Sequence, residues 1–384
     1  MAREYRKLET MKEDGTLYQN ELLGTIESLI PNPYNSCHAA DLLELPNGDM
    51  LCCWFAGSDE GNADISIAVS RLKAEESQWS MPVIVSDDRE RSEQNPSLFL
   101  TPEGEVWLIY TAQIARASMP GRNNLQSTAE IRRKISRDNG YTWEKTETIF
   151  DREGSFCRQK IQVLSNGRWV FGNWICFDDD THYGSDITVV QISDDRGKTW
   201  REVEIPGSRG RVHANMIETE PGKLTALFRS RSADNIYIAH SQDWGDTWTE
   251  PVRTVLPNNN SSISAIKLHS GALAVVYNPV RANDDPTITI WPRLRCPVAV
   301  AISDDGGKTW PMIRLVEPGD GFLGENNLVN NRRYEYPVMI QAEDGSIHIA
   351  YSYGNRRCVK YVVVTEAWIR GAQEEKDSKL NPTA

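Results

Sequence analysis

SRDNGYTW at residues 136–143, SDDRGKTW at 193–200, SQDWGDTW at 241–248 and SDDGGKTW at 303–310 are four copies of one string, S-x-D-x-G-x-T-W. In each copy the Asp carboxylate can accept hydrogen bonds from the N–H groups of a tight turn, and the Gly can take the positive φ that such a turn requires. The Thr-Trp pair then re-enters a strand with a large apolar ring. Four copies in register predict a repeated β-hairpin corner, and therefore a repeat protein built of β-strands.

A second repeat consists of short turns that contain Gly, each between two strands rich in apolar residues. These turns are LPNGDM, TPEGEV, LSNGRW, TEPGKL, LHSGAL and AEDGSI, with the glycines Gly48, Gly104, Gly167, Gly222, Gly271 and Gly345. Their spacing of about 50 to 75 residues fits one blade of four strands with its loops. Each turn is expected to join the first and second strands of a blade, and each S-x-D-x-G-x-T-W string the third and fourth. The sequence therefore predicts an all-β fold, a six-bladed β-propeller.

The ends of the repeat predict how the ring closes. Blade 1 carries a degenerate copy of the string, SRLKAEESQW, which ends at Trp79. In the last blade we expect residues 359–368 to supply the third strand and residues 15–30 the fourth, so that the N-terminal segment completes the sheet. The prediction is a single propeller domain over residues 1–369, followed by a polar tail over residues 370–384.

Composition limits the class of protein. The 384 residues include 39% hydrophobic residues, 12 Trp and 13 Tyr, enough for a large core, and no apolar run approaches the roughly 18 residues of a membrane span. The first residues lack the apolar region of a secretory signal, and the seven Cys show no metal-ligand spacing; both features predict a cytoplasmic protein with reduced, buried thiols and no membrane partner.

The charge and the motifs also limit the ligands. The net charge of −12 argues against a nucleic acid as partner. A local cluster of Arg could still bind an anionic ligand, because local charges can override the net field. No cofactor is predicted, since the chain has neither a phosphate-binding glycine loop at a strand-helix junction nor a metal-ligand cluster.

The repeated string is the Asp-box, and over residues 36–361 the chain resembles the sialidase (neuraminidase) superfamily of Asp-box β-propellers. The resemblance implies an active site on the face opposite the Asp-boxes. It also implies three Arg that hold a substrate carboxylate, an Asp acid/base, and a Tyr nucleophile activated by a Glu. Because Asp-boxes also occur in propellers without sialidase activity, the resemblance implies the fold more firmly than the chemistry.

If the first hairpins and the Asp-boxes lie on the bottom face, the starts of the first strands and the ends of the second strands lie on the top face around the axis. We expect the polar and aromatic residues at these positions to converge on one cavity. They are His38, Asp59, Glu60, Asp64, Asn95, Gln113, Arg158, Lys160, Asn173, Trp174, His213, Asn215, Arg229, Arg231, Ser262, Asn278, Arg281, Arg333, Glu335, Tyr336 and Tyr353.

Two of these residues match the family's motifs. Tyr336, in EYPVMIQAEDG, stands where the nucleophile is expected, and Arg229, in GKLTALFR, where a carboxylate-binding Arg is expected. A carboxyl group of Asp59, Glu60 or Asp64 is expected to protonate the leaving oxygen, and the spacing does not choose among them. Further contacts to the sugar are expected from Arg158, Arg231, Arg281, Arg333, Glu335, Asn95, Gln113, Trp174, Asn215, Asn278 and Tyr353.

Two positions depart from the family pattern. His38 stands where the first carboxylate-binding Arg is expected, and His213 where the Glu that activates the nucleophile is expected. Both His side chains are candidates for catalysis, because a neutral imidazole can accept a proton near neutral pH.

Three functions follow from this set, all with a carbohydrate partner. The first is an exo-acting glycoside hydrolase that removes a terminal acidic sugar. The second is a lyase that cleaves glycans containing uronic acid by β-elimination, with His38 or His213 as the base, Arg229 on the carboxylate and Tyr336 as general acid or base. The third is a carbohydrate-binding propeller without catalysis, which the Asp-boxes permit equally well.

Overall fold

The computed structural model describes residues 6–7, 11–122, 125–292, 294–318 and 334–371. In these residues the strands form six sheets, and the first strands of most neighbouring sheets contact one another. Sheets that meet at their first strands surround a common axis. The fold is a six-bladed β-propeller, as the repeats predicted.

The N-terminal strands and the first three blades account for sixteen strands. The chain begins with β1 (Arg6–Lys7), β2 (Tyr18–Asn20) and β3 (Thr25–Ile30). Blade 1 contains β4 (Ser36–Glu44), β5 (Met50–Gly57), β6 (Ser66–Leu72) and β7 (Val83–Ile84). Blade 2 contains β8 (Arg91–Leu100), β9 (Val106–Ile114), β10 (Glu130–Ser136) and β11 (Glu147–Phe150). Blade 3 contains β12 (Ser155–Phe156), β13 (Gln162–Val163), β14 (Trp169–Ile175), β15 (Ile187–Ser193) and β16 (Arg201–Glu204). Two 3-10 helical turns, Arg116–Ser118 and Gln126–Thr128, lie between β9 and β10.

The remaining blades follow the same antiparallel order. Blade 4 contains β17 (Arg211–Glu220), β18 (Lys223–Ser230), β19 (Asn235–Ser241) and β20 (Val252–Pro257); blade 5 contains β21 (Ser264–Lys267), β22 (Leu273–Tyr277), β23 (Val298–Ser303) and β24 (Met312–Glu317); blade 6 contains β25 (Glu335–Gln341), β26 (Ile347–Tyr353) and β27 (Cys358–Val364). Residues 366–371 are helical.

The N-terminal strand β3 pairs antiparallel with β27 and is the fourth strand of blade 6. The buried ammonium of Lys360 on β27 lies 2.9 Å from Glu27 Oε2 on β3 and 2.7 Å from Glu317 Oε2 on β24. The third strand ends at Val364, and the helix that follows places Trp368 against the core between blades 5 and 6. The expected strand over 359–368 is thus shorter, and most of the expected tail, residues 372–384, lies outside the described residues.

The two turn repeats adopt the geometry that their residues predict. The six hairpin glycines have φ between 78° and 90°. In the first Asp-box, Asp138 Oδ1 accepts from the N–H groups of Tyr141 and Thr142, its Oδ2 accepts from Thr142 Oγ1, and Ser136 Oγ donates to Oδ1. Asp195, Asp243 and Asp305 repeat the bonds to the Ser and Thr of their own boxes.

The hydrophobic core is divided into clusters that fill the spaces between neighbouring blades. Each of the six largest clusters combines residues from two adjacent blades. The Asp-box Trp of one blade packs into the cluster that it shares with the preceding blade, as Trp248 and Trp310 do. Trp79 of the degenerate box does the same between blades 6 and 1. Each box therefore both closes a hairpin and contributes a large ring to an interface.

The cysteines lie in these cores. All seven are buried and unbridged, and burial raises the pKa of Cys157 to about 12. In the described part of the chain, no helix has the length and apolar character needed to cross a bilayer.

Candidate active site

The first strands of four blades carry the same β-bulge close to the axis. In β4, β8, β17 and β25 two residues oppose a single residue of the second strand. The first residue of each pair has positive φ: Ala39 at 58°, Asn95 at 49°, His213 at 55° and Tyr336 at 52°. Because a bulge bends the strand and re-aims a side chain, these residues occupy equivalent positions around the axis.

His213 and Tyr336 occupy these positions at an energetic cost. A left-handed backbone is unfavourable for a bulky side chain, by of order 1–3 kcal/mol per residue. Such strain persists only where the surrounding structure holds it, and it concentrates at functional sites. In two of the bulges the second residue is a proline, Pro96 or Pro337. Proline has no backbone N–H, and it is tolerated there because the second bulge residue of an edge strand donates no hydrogen bond to a neighbouring strand.

Tyr336 contacts two histidines and two arginines. Arg229 Nη1 donates to the phenol oxygen of Tyr336 and lies 3.1 Å from His213 Nε2. The ring centroid of His38 lies 4.1 Å from that of Tyr336, and the ring of His213 meets it edge-on at 5.5 Å. Arg158 Nη2 lies 3.3 Å from the carbonyl oxygen of Tyr336. The structure thus brings five of the expected residues into one cluster.

Both histidines of the cluster are buried. Burial, more than any other factor, lowers the pKa of His213 and of His38 well below the ordinary value, so both rings are neutral near pH 7. Arg229 can only donate, so Nε2 of His213 is the acceptor and the ring proton sits on Nδ1, 2.9 Å from Ser262 Oγ. His38 Nδ1 makes a corresponding contact, at 2.9 Å, with Ser352 Oγ.

Arg229 and Arg158 are buried cations that pair with no carboxylate among the described residues. Arg229 Nε donates to Asn260 Oδ1 at 2.8 Å, whereas its Nη2 has no hydrogen-bond partner there, and neither does Nε of Arg158. Burial lowers the pKa of Arg229 to about 9 and also lowers that of Arg158. Arg229 therefore remains charged at neutral pH, and two such charges beside one phenol form a position suited to an anion.

The residue before Tyr336 neutralises two further arginines. Glu335 accepts from Arg295 and from Arg356, and His38 Nε2 lies 3.5 Å from the same carboxylate. Burial alone would raise the pKa of Glu335, but Arg356 and Arg295 together hold it well below its ordinary value. Glu335 is therefore ionised, and it ties the first strand of blade 6 to the loops above it.

Arg231 is neutralised in a different way and lies among aromatic rings. Its Nη2 is 2.7 Å from Asp186 Oδ2, and both side chains are buried. Its Cζ lies 5.0 Å from the ring of Trp291 and 5.5 Å from that of Tyr183. Trp291, which is 43% exposed, also lies 5.3 Å from Arg229 Cζ. An exposed aromatic face thus borders the buried arginines.

Trp174 lies in the cluster but below its surface. Its ring stacks on His213 at 4.2 Å and on Phe156 at 5.2 Å, and it is only 2% exposed. The expected contact between this ring and a sugar is therefore replaced by a packing contact that orients His213.

The acidic loop of blade 1 faces two different cavities. Asp59 and Glu60 line a polar cavity of about 500 Å³, and Glu60 pairs with Arg356 at 2.7 Å. Asp64 turns back to accept from the N–H and Oγ of Ser58, and it lines a separate outer cavity. The structure therefore places Asp64 in a different cavity from Asp59 and Glu60. In the described ranges, no three His, Cys, Asp or Glu side chains meet as a metal site.

Two expected asparagines bind backbone groups and not the cluster. The Asn215 amide donates to the carbonyl of His213, and its Oδ1 accepts from the N–H of residue 265, so it joins blades 4 and 5. Nδ2 of Asn278 donates to the carbonyl of Tyr334. In both cases the bulged or irregular backbone near the axis needs a side-chain partner. Arg333 lies outside the described residues.

Three other expected residues point elsewhere. Tyr353 is buried in the core between blades 5 and 6, because alternation along β26 turns it inward. Arg281 is exposed on a loop, where it pairs with Asp284 at 2.9 Å. The ammonium of Lys160 pairs with Asp41 and donates to backbone carbonyls of blades 1 and 2, and both residues line a cavity distinct from the one beside Glu60.

The remaining expected residues belong to blades 2 and 3. Asn95 is a bulge residue whose carbonyl accepts from Cys157. Gln113 is buried and lines the 500 Å³ cavity beside Glu60. Asn173 is fully buried on β14, with no partner for its amide in the described part of the chain.

Sequence analysis missed four residues of the site, all in loops. Arg356 lies in the turn between β26 and β27, Trp291 and Arg295 lie in the long loop between β22 and β23, and Asn260 precedes β21. The loops that join second and third strands begin where the second strands end, so extending the search into them would have found three of these residues. The repeated pattern of Asn95-Pro96 and Tyr336-Pro337 would have marked the bulges.

Known proteins share this architecture. The sequence matches the BNR repeat-like domain family over residues 48–349. A sialidase from Bacteroides fragilis (strain YCH46) is 28% identical over an alignment of 235 positions, which covers 56% of this chain and 41% of that sialidase. The chain thus spans less than half the length of this curated relative.

Two solved sialidase structures superpose on most of the chain. Hadza microbial sialidase Hz136 has a TM-score of 0.70 at 19% identity, covering 88% of this chain and 67% of that one. The NanB sialidase from Streptococcus pneumoniae has a TM-score of 0.68 at 15% identity, covering 94% and 71%. At these identities the likeness concerns the fold. Together with the four Asp-boxes and the six blades, the match over residues 48–349 shows that the chain belongs to the BNR repeat-like domain family, with the six-bladed β-propeller fold of the sialidases.

Proposed function

We propose that this chain is an exo-acting glycoside hydrolase that binds a terminal acidic sugar at the propeller axis. The observation that carries the proposal is the pair Arg229 and Arg158, two buried guanidinium groups that contact Tyr336 and pair with no described carboxylate. A buried charge without a partner is costly. A sugar carboxylate beside Tyr336 would bring a compensating negative charge close to both guanidinium groups.

In this proposal Tyr336 is the nucleophile. Its phenol oxygen forms a bond to the anomeric carbon as the glycosidic C–O bond breaks, and water later releases the sugar. Asp59 or Glu60, which line the adjoining cavity, protonates the departing oxygen. Asp64 is not proposed for this step, because its carboxylate is bound to the loop that carries it.

The substitution of His213 for the family's Glu changes how Tyr336 is activated. A neutral imidazole can accept the phenol proton at Nε2 once that atom no longer accepts from Arg229 Nη1, but it supplies no negative charge. Arg229 donates to the same phenol oxygen, and a cation at hydrogen-bond distance stabilises a phenolate. His213 therefore accepts the proton and Arg229 stabilises the negative charge, two roles that the single Glu of the family would otherwise combine. His38, neutral and packed on the Tyr336 ring, orients the phenol.

One observation favours a second candidate, the lyase. Two neutral histidines, His38 and His213, lie against Tyr336, and either could remove the proton α to a uronic acid carboxylate held by Arg229. Tyr336 would then protonate the leaving oxygen, and the product would contain a carbon–carbon double bond.

The test is turnover of fluorogenic glycosides of sialic acid, deoxy-nonulosonic acids and uronic acids by the wild type, Tyr336→Phe and Arg229→Met. We expect hydrolysis to fall by at least about 10³-fold in Tyr336→Phe, because the nucleophile is lost. In Arg229→Met we expect kcat/KM to fall by roughly 10- to 100-fold, because a charge-assisted contact is removed. Tyr277→Phe, a buried Tyr of blade 5, is the matched control.

Uronic acid oligosaccharides are assayed in parallel by the near-ultraviolet absorbance of an unsaturated product. Such a product, lost in Tyr336→Phe, would replace the hydrolase with the lyase. Saturable sugar binding that Tyr336→Phe does not alter, without turnover of any glycan, would contradict both and leave a binding propeller.

A further inference from the structure

Residues 157–161 interrupt the inner strand of blade 3. The strands β12 and β13 on either side both pair with β14, whereas the residues between them pair with no described strand. Three successive long side chains of this segment contact other blades. Gln159 Nε2 donates at 2.8 Å to the carbonyl of Ile263, which precedes blade 5. Arg158 and Lys160 instead contact blade 1, so the segment joins blade 3 to distant parts of the ring across the axis.

Arg158 and Lys160 contact three consecutive residues of β4. Arg158 Nη2 donates to the carbonyl oxygen of Ala40 at 2.8 Å. Lys160 Nζ lies 2.5 Å from Asp41 Oδ2 and donates to the carbonyl oxygen of Leu42 at 2.7 Å. The Asp41 carboxylate therefore lies in the stretch of backbone that both cations bind. Among the described cations, however, it pairs directly with Lys160 and not with Arg158.

The charges of these three groups act on one another strongly, because the groups are largely removed from water. Asp41 and Arg158 are 1% and 2% exposed. Burial lowers the pKa of Arg158, and Asp41 is the charged group that most opposes this shift. Two cations and one carboxylate leave one positive charge in excess. Because Lys160 pairs with the carboxylate, the excess charge lies on Arg158, whose Nη2 is 3.3 Å from the carbonyl oxygen of Tyr336.

Loss of the Lys160 ammonium would change which group compensates Asp41. The carboxylate would have no cation in direct contact, and Arg158, bound to the residue before it, would compensate its charge. A guanidinium that is compensated by a carboxylate of the protein gains less from the carboxylate of a ligand. Lys160 and Asp41 line a cavity of about 420 Å³ that does not include Tyr336. Lys160 would therefore act on a ligand beside Tyr336 only through Arg158.

We propose that Lys160 is a positioning residue that sets the preference of the axial site for an anion. By holding Asp41, it keeps the positive charge of Arg158 available to a carboxylate beside Tyr336. Asp41 is the internal competitor of that ligand, and Lys160 removes the competition. This inference rests on the proposed function for the acidic sugar as the ligand, and it adds a residue that determines specificity without contacting the sugar.

The experiment measures kcat/KM for the fluorogenic acidic glycoside that the wild type turns over. In Lys160→Met we expect kcat/KM to fall about 10- to 100-fold, mainly through KM, because Asp41 then neutralises Arg158. The double variant Asp41→Asn/Lys160→Met also removes the carboxylate, so we expect its kcat/KM to return to within about 3-fold of the wild type. Lys267→Met is the matched control, because it removes an ammonium from the same cavity without releasing Asp41, and it should change kcat/KM little.

The double variant separates an effect of charge from an effect of structure. If Lys160 only tied blade 3 to blade 1, the double variant would lose at least as much kcat/KM as Lys160→Met, and the proposal would be overturned. Unchanged kcat/KM in Lys160→Met would overturn it as well. If Lys160→Met does not fold, Asp41→Asn takes its place. That variant is expected to keep or raise kcat/KM, since the competitor is gone, and a fall would contradict the proposal.

Acetate as a probe makes the test independent of turnover. Nε of Arg158 has no hydrogen-bond partner among the described groups, and its N–H resonance is assigned by its absence in Arg158→Met in proton–nitrogen NMR of protein labelled at arginine. We expect acetate to shift this resonance saturably in the wild type and in the double variant, and to bind at least about 10-fold more weakly in Lys160→Met. This pattern without turnover of any acidic glycoside would reject the proposed hydrolase and keep the role of Lys160. A resonance that acetate does not shift in the wild type would reject that role.

Discussion

Two buried arginines near the axis differ in what compensates their charge. Arg231 forms a buried ion pair with Asp186 at 2.7 Å. Arg158 has only backbone carbonyls as partners, those of residues 40 and 336, in the described part of the chain. Removing one member of a buried ion pair leaves an uncompensated charge, whereas removing an uncompensated charge relieves a cost. Loss of either partner of the Arg231–Asp186 pair should therefore destabilise the fold, whereas Arg158 is expected to serve binding.

This difference predicts opposite effects on stability. Asp186→Asn is expected to lower the free energy of unfolding by about 3–5 kcal/mol, because Arg231 would remain buried without its partner. Arg158→Met is expected to leave the free energy of unfolding unchanged or to raise it, although it should weaken binding of an acidic sugar. Urea unfolding of the two variants and the wild type is the measurement. A loss of stability in Arg158→Met as large as that in Asp186→Asn would contradict the prediction.

Among the elements, the Asp-box hairpin is stabilised by a carboxylate that accepts several hydrogen bonds. Hydrogen bonds from Thr142, Thr199 and Thr309, with smaller ones from other groups of each box, lower the pKa of Asp138, Asp195 and Asp305 to about 2. A carboxylate with a depressed pKa in the folded state stabilises the fold above its unfolded pKa, near 3.9. That contribution is lost as pH falls through the folded pKa.

The boxes therefore predict a window of acid sensitivity between about pH 4 and pH 2. In this window the urea midpoint of the wild type should fall as the box carboxylates become protonated. Asp195→Asn should be less stable than the wild type at pH 6, and its midpoint should fall less between pH 4 and pH 2. Urea titrations at four pH values check both statements. Parallel pH profiles for variant and wild type would show that the box carboxylate does not carry the effect.

At the scale of the whole molecule, the ring depends on a strand from the opposite end of the chain. Without β3, the edge of β27 would expose unpaired N–H and C=O groups. Leu29 and Ile30 would leave the cores that they help to fill, at roughly 1.5–3 kcal/mol each. Lys360 would lose Glu27 while remaining beside Glu317. The same strand, β3, therefore closes the ring and stabilises blade 6.

Deletion of residues 1–31 is consequently expected to lower the free energy of unfolding by at least about 5 kcal/mol, counting the lost apolar burial and the broken ion pair. Deletion of residues 1–10, which leaves β2 and β3 in place, is the control and should have a much smaller effect. A synthetic peptide of residues 15–31 should restore the near-ultraviolet circular dichroism of the longer deletion. Equal stability of the two deletions would show that β3 does not hold the ring closed.

Local rules account for the parts of the structure that the sequence predicted well. Gly48 and its five counterparts each need a positive φ, and each Asp-box Asp bonds to groups within four residues of itself. The positive φ and the hydrogen bonds both lie within one hairpin, so a single stretch of sequence is enough to predict them. The expectation for residues 359–368 failed at Trp368, because that ring packs on the core between blades 5 and 6 from a helix and not from a strand.

The candidate site was only partly visible because its pairings cross the ring. Arg229 of blade 4 donates a hydrogen bond to Tyr336 of blade 6, and Arg356 donates one to Glu60, which is 296 residues away in the sequence. Asp59, Glu60 and Asp64 have the same chemistry and nearly the same position in the chain, yet one of them turns back to Ser58. No local preference distinguishes these outcomes, since side-chain direction at the axis depends on bulges and neighbouring loops.

The amino-acid sequence alone determined the number of blades and the positions of the hairpin turns and Asp-boxes, because repeats and turn chemistry act over a few residues. The tertiary structure alone decided which of the described arginines have no carboxylate partner and which carboxyl groups of the blade 1 loop share a cavity. Those outcomes depend on burial and on partners from other blades, and burial exists only once the ring has closed.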